Sequence, residues 1–579
     1  MTVDTTKDPD HGMYYSFSPR KNGEQNPTSQ PSPSLSEVGG KGLSLIQSSK
    51  NGFPVPKGFV LSVLFFQPWI DLCMGTGGSD AWENFARKAG AMQENPNDGG
   101  DAAVAITKED CDALKTACYQ KLAVGDIGCY FTPNQEEALR EAIRDVFGGN
   151  TNSDTNDSAL VAVRSSSPEE DLVGTSFAGG YETTLGVPLN TSLNGASNSD
   201  FAKALLASFI SMLDFRVVQY KLQQQRKMQS KRSGNGALVM DVLKPKIAIV
   251  IQEQIDSDTS GVAFSINPHN NCYDEILITA NFGLGESVVS GIVTPDAYTV
   301  ERRGSNENNE DEFVVLDQKI GAKQEVIMLE KKKGAGEGGP AVSGTVQKSS
   351  QDPFQEAALS EDQILELARL VAKVEDLYSR GSSMICPMDI EWAYQDGNLY
   401  LLQARPVTSY IPLFPEMITK RGDVKKLYMD MIVMTQGFSE PFSVLGMEVW
   451  DTMVGTIKPA LYKNNGPTGA LWSIHGREYI QVSNLLKTNS GRSIVDKMIG
   501  SYDPMIGRAI ESINLDDYTP LEFPEGVRGL TWGFIKDAFK FLPGKYFLFL
   551  FECSFSEFQQ TMSISVKRSQ LCTYSSFQF

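Results

Sequence analysis

The residues best suited to do chemistry lie in one stretch of the chain, residues 388–408, which reads MDIEWAYQDGNLYLLQARPVT. Two runs of alternating apolar and polar residues flank Asp396-Gly397, and this pattern predicts a β-hairpin. A two-residue loop would set Glu391 opposite Leu402 and would mix polar with apolar residues on both faces. We therefore predict an odd-numbered loop centred on Gly397, because that loop separates the two kinds of side chain.

The predicted register gives the hairpin one apolar and one polar face. The apolar face consists of Ile390, Trp392, Tyr394, Tyr400, Leu402 and Ala404. The polar face consists of Asp389, Glu391, Gln403 and Arg405. Such a face offers a carboxylate for magnesium, an amide for a second metal or a phosphate oxygen, and a guanidinium for phosphate. A half-exposed hairpin with a polar outer face would show the same alternation, so periodicity leaves both interpretations open.

A second candidate site lies in residues 161–187, which read VAVRSSSPEEDLVGTSFAGGYETTLGV. A predicted strand delivers Arg164 into a Ser-rich turn, and a Gly-rich loop follows. A charged fork and several small hydroxyl or N–H donors therefore converge on one region, which suits an anion such as a polyphosphate. The structural alternative is that Arg164 only pairs with a nearby carboxylate of Glu169, Glu170 or Asp171.

A third candidate is Lys41, in the sequence VGGKGLSLIQ. The string lacks the G-x-x-x-x-G-K-[ST] spacing of a Walker A loop. Glycines on both sides of the lysine still let the backbone approach a phosphate closely while the ammonium group reaches it as a point charge. A flexible turn with a solvated lysine is the alternative.

The fourth candidate is the end of an apolar strand pattern, IAIVIQEQI, which starts at Ile247. Four residues end this strand: Gln252, Glu253, Gln254 and Ile255. A backbone edge with Gln and Glu side chains could recognise an adenine ring in a mostly apolar cleft, whereas an ordinary sheet strand would look the same. The later turn Gly283–Glu286 carries little information by itself.

The elements that must position these residues include three strand patterns: ALVAVR ending at Arg164, KIAIVIQEQI from Lys246, and EILITANFG from Glu275. A helix is predicted after Ser360, because Ser360 and Gln363 form a capping box ahead of an apolar stripe. The apolar stripe consists of Ile364, Leu367, Ala368, Val371 and Val374. Mixed strand and helix patterns predict an α+β or α/β chain.

Size and charge limit the architecture and the partners. At 579 residues and 41% hydrophobic content, the chain should form two or three domains. A net charge of -19 argues against nucleic acid or an anionic membrane as a partner. The eight scattered cysteines show no zinc spacing and favour a reducing, cytoplasmic setting. The acidic, polar N-terminus is unlike a secretory signal, and the longest apolar run, YFLFLF from Tyr546, is far too short to span a bilayer.

Taken in chain order, the candidate segments resemble the ATP-binding module shared by phosphoenolpyruvate synthase, pyruvate phosphate dikinase and rifampicin phosphotransferase. The strings VGGKG, AVRSSS, SFAG, GLGE and DIEW…LLQARP occur in register between about Val38 and Thr408. The resemblance implies an α+β chain with an ATP-grasp fold, in which two lobes sandwich ATP. We expect a disordered tail at 1–34, an N-terminal lobe at 35–245, a C-terminal lobe at 246–410, and a partial, mostly helical domain at 411–579 that weakly resembles rifampicin phosphotransferase.

The resemblance also implies roles for individual residues. Lys41 and Arg164 would contact the phosphates and act in catalysis, with Thr183 beside the transferring phosphates. The adenine hinge would consist of Gln252, Glu253, Gln254 and Ile255. Glu391 and Gln403 would hold Mg²⁺, and Arg405 would hold phosphate. The string SFAGGYET departs from the family, which more often has amide residues and Asp before the threonine.

Members of this family split ATP at the β-phosphate and load that phosphate onto a histidine in a swivelling domain. The chain has only His11, His269 and His475, and none of them lies in a Gly-rich Thr-Ser-His string. We therefore expect a truncated chain or incomplete gene model, with a histidine domain supplied downstream or by another chain. The alternatives are a nucleotide-binding module without turnover, a rifampicin phosphotransferase-like kinase, and an ATP-grasp ligase that forms an acyl phosphate and ADP.

Overall fold

The structure is a computed structural model, and the residues it describes fall into ranges separated by gaps. These ranges are 12–18, 32–75, 79–94, 105–124, 128–148, 159–168, 181–189, 199–230, 243, 245–305, 311–331, 342–349, 356–382, 384–408, 410–419, 424–430, 441–457, 466 and 471–483. The chain divides into two compact units, Met1–Pro415 and Glu416–Phe579. The four domains expected from the sequence remain a prediction.

Helices occur in both units. Those of the first unit are α1 (Leu35–Lys50), α2 (Val63–Met74), α3 (Asp80–Glu94), α4 (Lys108–Leu122), α5 (Pro133–Phe147), α6 (Ser199–Ile210), α7 (Phe215–Ser230), α8 (Glu286–Val289) and α9 (Glu361–Ser379). The second unit contains α10 (Val444–Ile457). Two short 3-10 helices span Ser211–Leu213 and Pro415–Met417. No helix in the described part of the chain is both long and apolar enough to cross a membrane.

The strands of the first unit make up most of its sheet structure. They are β1 (Tyr14–Phe17), β2 (Gly58–Leu61), β3 (Ala123–Val124), β4 (Gly128–Cys129), β5 (Ala159–Ser166), β6 (Thr183–Leu189), β7 (Ala248–Glu253), β8 (Thr259–Phe264), β9 (Glu275–Phe282), β10 (Asp296–Ser305), β11 (Asp311–Lys319), β12 (Glu325–Lys331), β13 (Val342–Ser349), β14 (Met388–Gln395) and β15 (Asn398–Pro406). The second unit adds β16 (Tyr428–Asp430), β17 (Leu471–Ile474) and β18 (Arg477–Gln481). The strands predicted to end at Arg164 and to start near Lys246 and Glu275 are therefore present as β5, β7 and β9.

Two antiparallel sheets organise the first unit. The five-stranded sheet has the order β1-β2-β7-β5-β6, and the six-stranded sheet has the order β11-β10-β9-β8-β14-β15. Every neighbouring pair in both sheets is antiparallel. This confirms the α+β class and excludes the α/β alternative, because an α/β chain would have a mostly parallel sheet.

The five-stranded sheet feeds two separate cores, because side chains alternate across a strand. In β2, Phe59 and Leu61 pack into a core with helices α2, α4, α5 and α6, whereas Val60 packs into a core with α1, α9 and the six-stranded sheet. In β7, Ile251 and Val250 divide in the same way. Helices therefore cover one face of this sheet, and α1 with the six-stranded sheet covers the other.

The predicted helix after Ser360 is confirmed as α9. The Ser360 hydroxyl accepts a hydrogen bond from the backbone N–H of Gln363, and the Gln363 side chain accepts one from the Ser360 N–H. The predicted apolar stripe is buried against the six-stranded sheet. Local sequence was sufficient here, because both the cap and the stripe are set within a few residues.

The predicted disordered tail at 1–34 is wrong for Tyr14–Phe17, which forms β1. Tyr14, Tyr15 and Phe17 are buried, and the Tyr14 hydroxyl donates to Asp145 Oδ2 at 2.6 Å. The average composition of the segment concealed a short aromatic run, and this run gains a backbone pairing partner in β2. Residues 1–11 and 19–31 lie outside the described residues.

The described part of the second unit contains a three-stranded sheet of order β16-β18-β17 beside α10. Arg477 Nη1 donates to the buried Asp430 Oδ2 at 2.5 Å, which joins β18 to β16. The expected mostly helical character of 411–579 therefore does not apply to these residues. Residues 484–579, with the YFLFLF run, lie outside the described part.

A fully buried ion pair between Lys323 and Asp296 supports the six-stranded sheet. Both side chains are 0% exposed, and Asp296 Oδ1 accepts from the Lys323 ammonium group and from the Gly321 N–H. The other carboxylate oxygen accepts from the Tyr298 hydroxyl at 3.0 Å and the Ala358 N–H at 2.8 Å. The network thereby joins β10, the segment before β12 and the segment before α9.

We expect Lys323→Met to lower the free energy of unfolding by roughly 3–5 kcal/mol, because it leaves the Asp296 carboxylate buried without its cation. Urea denaturation of the purified chain measures this change. The matched control is Lys319→Met, which removes an ammonium group from an exposed pair with Asp317 and should change stability little. Equal, small changes in both variants would contradict the structural importance of the buried pair.

Candidate functional site

The hairpin of β14 and β15 closes with the two-residue turn Asp396-Gly397, whose φ angles are 50° and 76°. The predicted odd-numbered loop is therefore wrong. The pairing of the strands shifts between Glu391–Gln403 and Trp392–Leu401, which leaves Leu402 as the extra residue of a β-bulge. The odd residue that the pattern required lies inside β15 and not in the loop.

The bulge explains which parts of the predicted faces are present. Asp389 pairs with Arg405 and Glu391 pairs with Gln403, so the predicted polar face is formed. The predicted apolar face is wrong at Tyr400 and Leu402, which are half-buried, because the buried positions of β15 belong to Leu399 and Leu401. The bulge at Leu402 reverses which side chains of β15 are buried between the turn and Leu402, and it leaves the remainder of the strand as predicted.

Arg164, near the end of β5, reaches from the five-stranded sheet to this hairpin. Its Nη2 donates to Glu391 Oε2 at 2.7 Å and to Gln403 Oε1 at 2.8 Å. Its Nη1 donates to the Leu402 carbonyl at 3.3 Å and lies 3.5 Å from Gln252 Oε1. We call these five residues the Arg164 network. The alternative partners Glu169, Glu170 and Asp171 lie outside the described residues.

The electrostatics of Glu391 favour its ionised form. Burial raises the pKa of this carboxyl group, but the charge and hydrogen bond of Arg164, together with the charges of Arg405 and Lys41, lower it by more. The net pKa lies below the ordinary value of 4.5. Glu391 is therefore a carboxylate at neutral pH and can act as a ligand for a cation.

Lys41 lies within α1, so the proposed flexible turn around it is wrong. The helix bends at Gly39, whose φ is 69°, and the Lys41 ammonium group donates to the Ser165 carbonyl at 3.2 Å. Ser165 directly follows Arg164 in β5, so the two cationic side chains are held by neighbouring residues of one strand. Lys41 also contributes to the electrostatic field at Glu391.

Arg405 and Thr183 complete the predicted phosphate contacts. Arg405 Nε and Nη2 both donate to Asp389 Oδ2, at 2.9 and 2.8 Å, so one carboxylate oxygen fixes the guanidinium plane. Thr183 is exposed and lies opposite Arg164 in the pairing of β5 with β6. The loop before it, with the SFAG string, lies outside the described residues.

The four predicted hinge residues face two different directions. Gln252 is buried in the Arg164 network, and its Nε2 lies 3.4 Å from the Leu402 carbonyl. Glu253 instead pairs with Lys57 at 3.4 Å, and Gln254 accepts a hydrogen bond from the Gly186 N–H. Gln252 is thus brought to Arg164, whereas Glu253 and Gln254 have other partners and Ile255 is buried.

An apolar cluster lies beside Gln254, and sequence analysis did not select it. Leu284, Ile327 and Leu329 are buried together, and the half-buried Leu160 and Leu185 pack against them. The Leu160 carbonyl accepts from the Gln254 N–H at 2.9 Å, which joins the cluster to the hinge. No local signal identifies these residues, because they come from four separate segments: β5, β6, the turn after β9, and β12.

The turn Gly283–Glu286 is fixed by close backbone contacts. The Gly283 carbonyl accepts from the hydroxyls of Ser257 at 2.9 Å and Ser260 at 2.5 Å. Gly283 has a φ of 74°, and a Cβ there would lie 2.3 Å from the Ile327 carbonyl oxygen. Glycine is therefore required where β9 leads into α8 and meets β12.

Two of the three histidines lie among the described residues. His269 is exposed in the turn between β8 and β9. In the second unit, His475 lies in the turn between β17 and β18, and its Nε2 is 3.4 Å from Glu416 Oε1. His11 is outside the described residues.

The Arg164 network has the donors and acceptors needed for a metal–phosphate ligand. Glu391 and Gln403 offer the hard oxygen atoms that Mg²⁺ prefers, and Mg²⁺ sites usually combine few protein ligands with substrate phosphates. No cluster of three or more His, Cys, Asp or Glu side chains that could hold a metal occurs among the described residues. Arg164 Nε is buried and has no hydrogen-bond partner within the described part of the chain, which leaves one donor for an anion.

Residues 105–420 match the family described as pyruvate phosphate dikinase, AMP/ATP-binding domain. This match covers more than half of the chain and includes the Arg164 network. The chain belongs to this family. It therefore carries an ATP-binding module of the dikinase type.

Three relatives illustrate the range of the match. A probable phosphoenolpyruvate synthase of Methanocaldococcus jannaschii is 30% identical over 67% of this chain and 27% of its own length. An uncharacterised phosphotransferase of Bacillus subtilis is 32% identical over 64% of this chain and 33% of its own length. A rifampicin phosphotransferase of Bacillus cereus is 25% identical over 82% of this chain and 44% of its own length. The chain thus spans less than half the length of these relatives.

The Arg164–Glu391 pair should contribute about 2 kcal/mol to stability, within the range for hydrogen bonds to charged groups, because the two side chains are only 13% and 23% exposed. A double-mutant cycle of Arg164→Met and Glu391→Met, followed by urea denaturation, measures this coupling. Because the pKa of Glu391 is lowered on folding, the coupling should be complete above about pH 5 and decline as the pH falls below 4.5. A coupling energy near zero at neutral pH would contradict the ion pair.

Proposed function

We propose that this chain binds Mg–ATP at the Arg164 network and donates the β-phosphate to a histidine supplied from outside these 579 residues. The observation that carries the proposal is the position of the Arg164 guanidinium between Glu391 Oε2 and Gln403 Oε1, beside Lys41. The Arg164 guanidinium already lies between two side-chain oxygen atoms that could bind a metal, and the Lys41 ammonium group lies nearby. Oxygen ligands and cations in this arrangement can bind a metal and a polyphosphate together.

In this proposal Glu391 and Gln403 hold the metal, and the cationic side chains hold the phosphates. Mg²⁺, when bound, would neutralise part of the charge on the polyphosphate. Arg164 then exchanges the carboxylate for a phosphate oxygen, and its buried Nε gains an acceptor. Lys41 contributes a point charge, and Arg405 presents a guanidinium whose plane Asp389 fixes.

The adenine ring would lie beside Glu253, Gln254 and Ile255, at the end of the proposed site away from Arg164. Glu253, Gln254 and Ile255 provide the hinge, and the apolar cluster around Leu284 and Ile327 provides the wall against which a flat ring can pack. Gln252 would serve the phosphate end, since it is bound to Arg164 and Leu402. Thr183 would lie beside the phosphates, as its pairing with Arg164 supports.

Lys41 and Arg164 would act in catalysis by position and charge. Phosphoryl transfer needs little covalent chemistry from the protein, so fixed cations around the reacting phosphates supply most of the effect. The attacking group would be an imidazole, which bonds to the β-phosphorus, breaks the bond between the α- and β-phosphates and releases AMP. The histidine would then carry the β- and γ-phosphates, and attack of water on the γ-phosphate would release orthophosphate and leave the β-phosphate on the histidine. Neither His269 nor His475 lies near Arg164 in the sequence, and neither has a Gly-rich Thr-Ser-His setting.

The same proposal includes the fold. The five-stranded sheet with its helices would form the N-terminal lobe of an ATP-grasp fold at 35–245, and the six-stranded sheet would form the C-terminal lobe at 246–410. Two observations support this division. The two sheets have separate strand orders, and the Arg164 network joins one sheet to the other. Strands β2 and β7 pair across the proposed boundary, so β7 would belong to the sheet of the first lobe.

A rifampicin phosphotransferase-like kinase is the second candidate. The match to the Bacillus cereus rifampicin phosphotransferase covers 82% of this chain and so extends beyond the ATP-binding module. The sheet of β16, β17 and β18 in the second unit would then belong to a domain on the acceptor side. ATP binding and histidine phosphorylation would be the same in both candidates, and only the final acceptor would differ.

With labelled ATP and Mg²⁺, the chain alone should bind nucleotide and form little AMP, because it lacks a positioned nucleophile. A nucleophile held in a near-attack arrangement can contribute roughly 7–11 kcal/mol, and water is a poor substitute. Adding a separately expressed histidine domain from a related enzyme should produce AMP and an acid-labile phosphohistidine. Nucleotide chromatography measures the products. Rapid AMP release by the chain alone would contradict the external histidine, and ADP as the product would favour the ligase alternative.

Glu391→Gln should abolish most of the Mg²⁺ dependence of ATP affinity, because it removes the charge of a metal ligand while an amide oxygen remains to accept from Arg164. Calorimetry of ATP binding with and without Mg²⁺ measures this effect. The matched control is Asp396→Asn, which makes the same charge change at the turn of the same hairpin and should leave the dependence intact. A thermal melt identifies any general loss of fold. Equal Mg²⁺ dependence in both variants would exclude Glu391 as a ligand.

A further inference from the structure

The hydroxyl group of Ser166 is inserted into the hydrogen-bond ladder of α1. In a regular α-helix the Gly42 N–H would donate to the Val38 carbonyl, four residues earlier. Here the Gly42 N–H donates to Ser166 Oγ at 3.0 Å, and Ser166 Oγ donates to the Val38 carbonyl at 2.7 Å. One side chain from β5 therefore replaces one backbone bond of the helix, which is a recognised cause of helix bending.

The bend places the helix against the strand backbone. Gly39 has a φ of 69°, and a Cβ at this position would lie 2.2 Å from the Ser166 carbonyl oxygen. Only glycine tolerates both the angle and the approach. Ser166 is fully buried, so water does not compete for its two hydrogen bonds.

Lys41 lies in the turn that Ser166 closes, between Val38 and Gly42. Its ammonium group donates to the carbonyl of Ser165, the neighbour of Ser166. Arg164 precedes these two serines in β5, so three consecutive residues set the relative position of both cations. The next turn of α1 is held from the other side, because the Ser44 hydroxyl donates to the Ala404 carbonyl at 2.5 Å.

We propose that Ser166 is a positioning residue for the nucleotide phosphates, because its inserted hydroxyl holds the turn of α1 that presents Lys41 beside Arg164. This inference rests on the proposed function, in which both cations bind the phosphates of ATP. It also predicts selectivity. Loss of the hydroxyl lets α1 form its regular bond and turns Lys41 away from Arg164, so binding of the triphosphate weakens while binding of the nucleoside does not.

The experiment compares the affinities of ATP and adenosine for Ser166→Ala by calorimetry. We expect the variant to bind ATP about tenfold more weakly, because that is the effect of losing one charge-assisted contact. We expect it to bind adenosine as tightly as the unaltered chain does. The matched control is Ser167→Ala. Ser167 is also fully buried in the same segment, but its hydroxyl lies 3.5 Å from the Lys246 carbonyl and not in α1.

Lys41→Met tests whether Ser166 acts through Lys41. If it does, Ser166 cannot affect ATP affinity once the Lys41 ammonium group has been removed. Ser166→Ala should cause no further loss of ATP affinity in that background. If Ser166→Ala does not fold, Ser166→Thr and Ser166→Val form an isosteric pair that differs by the hydroxyl alone, and only the threonine variant should retain ATP affinity.

Three outcomes would overturn the inference: unchanged ATP affinity in Ser166→Ala, equal loss of ATP and adenosine, or additive losses with Lys41→Met. If the unaltered chain itself fails to bind ATP, the proposed function fails, and the inference fails with it. If the unaltered chain binds ATP and any of the three outcomes is observed, the proposed function stands and the role of Ser166 is rejected.

Discussion

The charge of the partly buried Arg164 has to be compensated by nearby acceptors, and this requirement connects the two sheets of the first unit. A guanidinium that is 13% exposed needs acceptors for its donors, and β5 does not supply them. Glu391, Gln403 and the Leu402 carbonyl come from the hairpin at the edge of the other sheet. One cation and its three acceptors therefore join the hairpin to β5, in addition to the apolar core that the two sheets share.

Several backbone features serve this arrangement. The bulge at Leu402 brings Gln403 opposite Glu391 and turns the Leu402 carbonyl toward Arg164. The bend of α1 places Lys41 beside the same strand end. Edge strand β15 is protected as well, because the Leu401 N–H donates to the Pro54 carbonyl at 2.9 Å. The bulge and the bend are therefore two irregular backbone features that bring the side chains of the site together.

The sequence predicted the features that depend on short-range pattern. The cap and stripe of α9, the strand at Arg164 and the polar set of the hairpin all follow from residue spacing, and the structure contains them. It could not predict the bulge, because a two-residue turn plus a bulge gives the same pairing of Glu391 with Gln403 as a longer loop. It also missed the Ser166 insertion and the apolar cluster of Leu284, Ile327 and Leu329, since both join segments far apart in the chain.

In the proposed function, Arg164 exchanges its carboxylate partner for a phosphate oxygen when the site binds Mg–ATP. A crystal structure with Mg²⁺ and a non-hydrolysable ATP analogue tests this exchange most directly. We expect Mg²⁺ to contact Glu391 and Gln403, and the Arg164 guanidinium to have left Glu391 for a phosphate oxygen. If Arg164 remains 2.7 Å from Glu391 while nucleotide and metal bind elsewhere, the exchange does not occur and the proposed site is wrong.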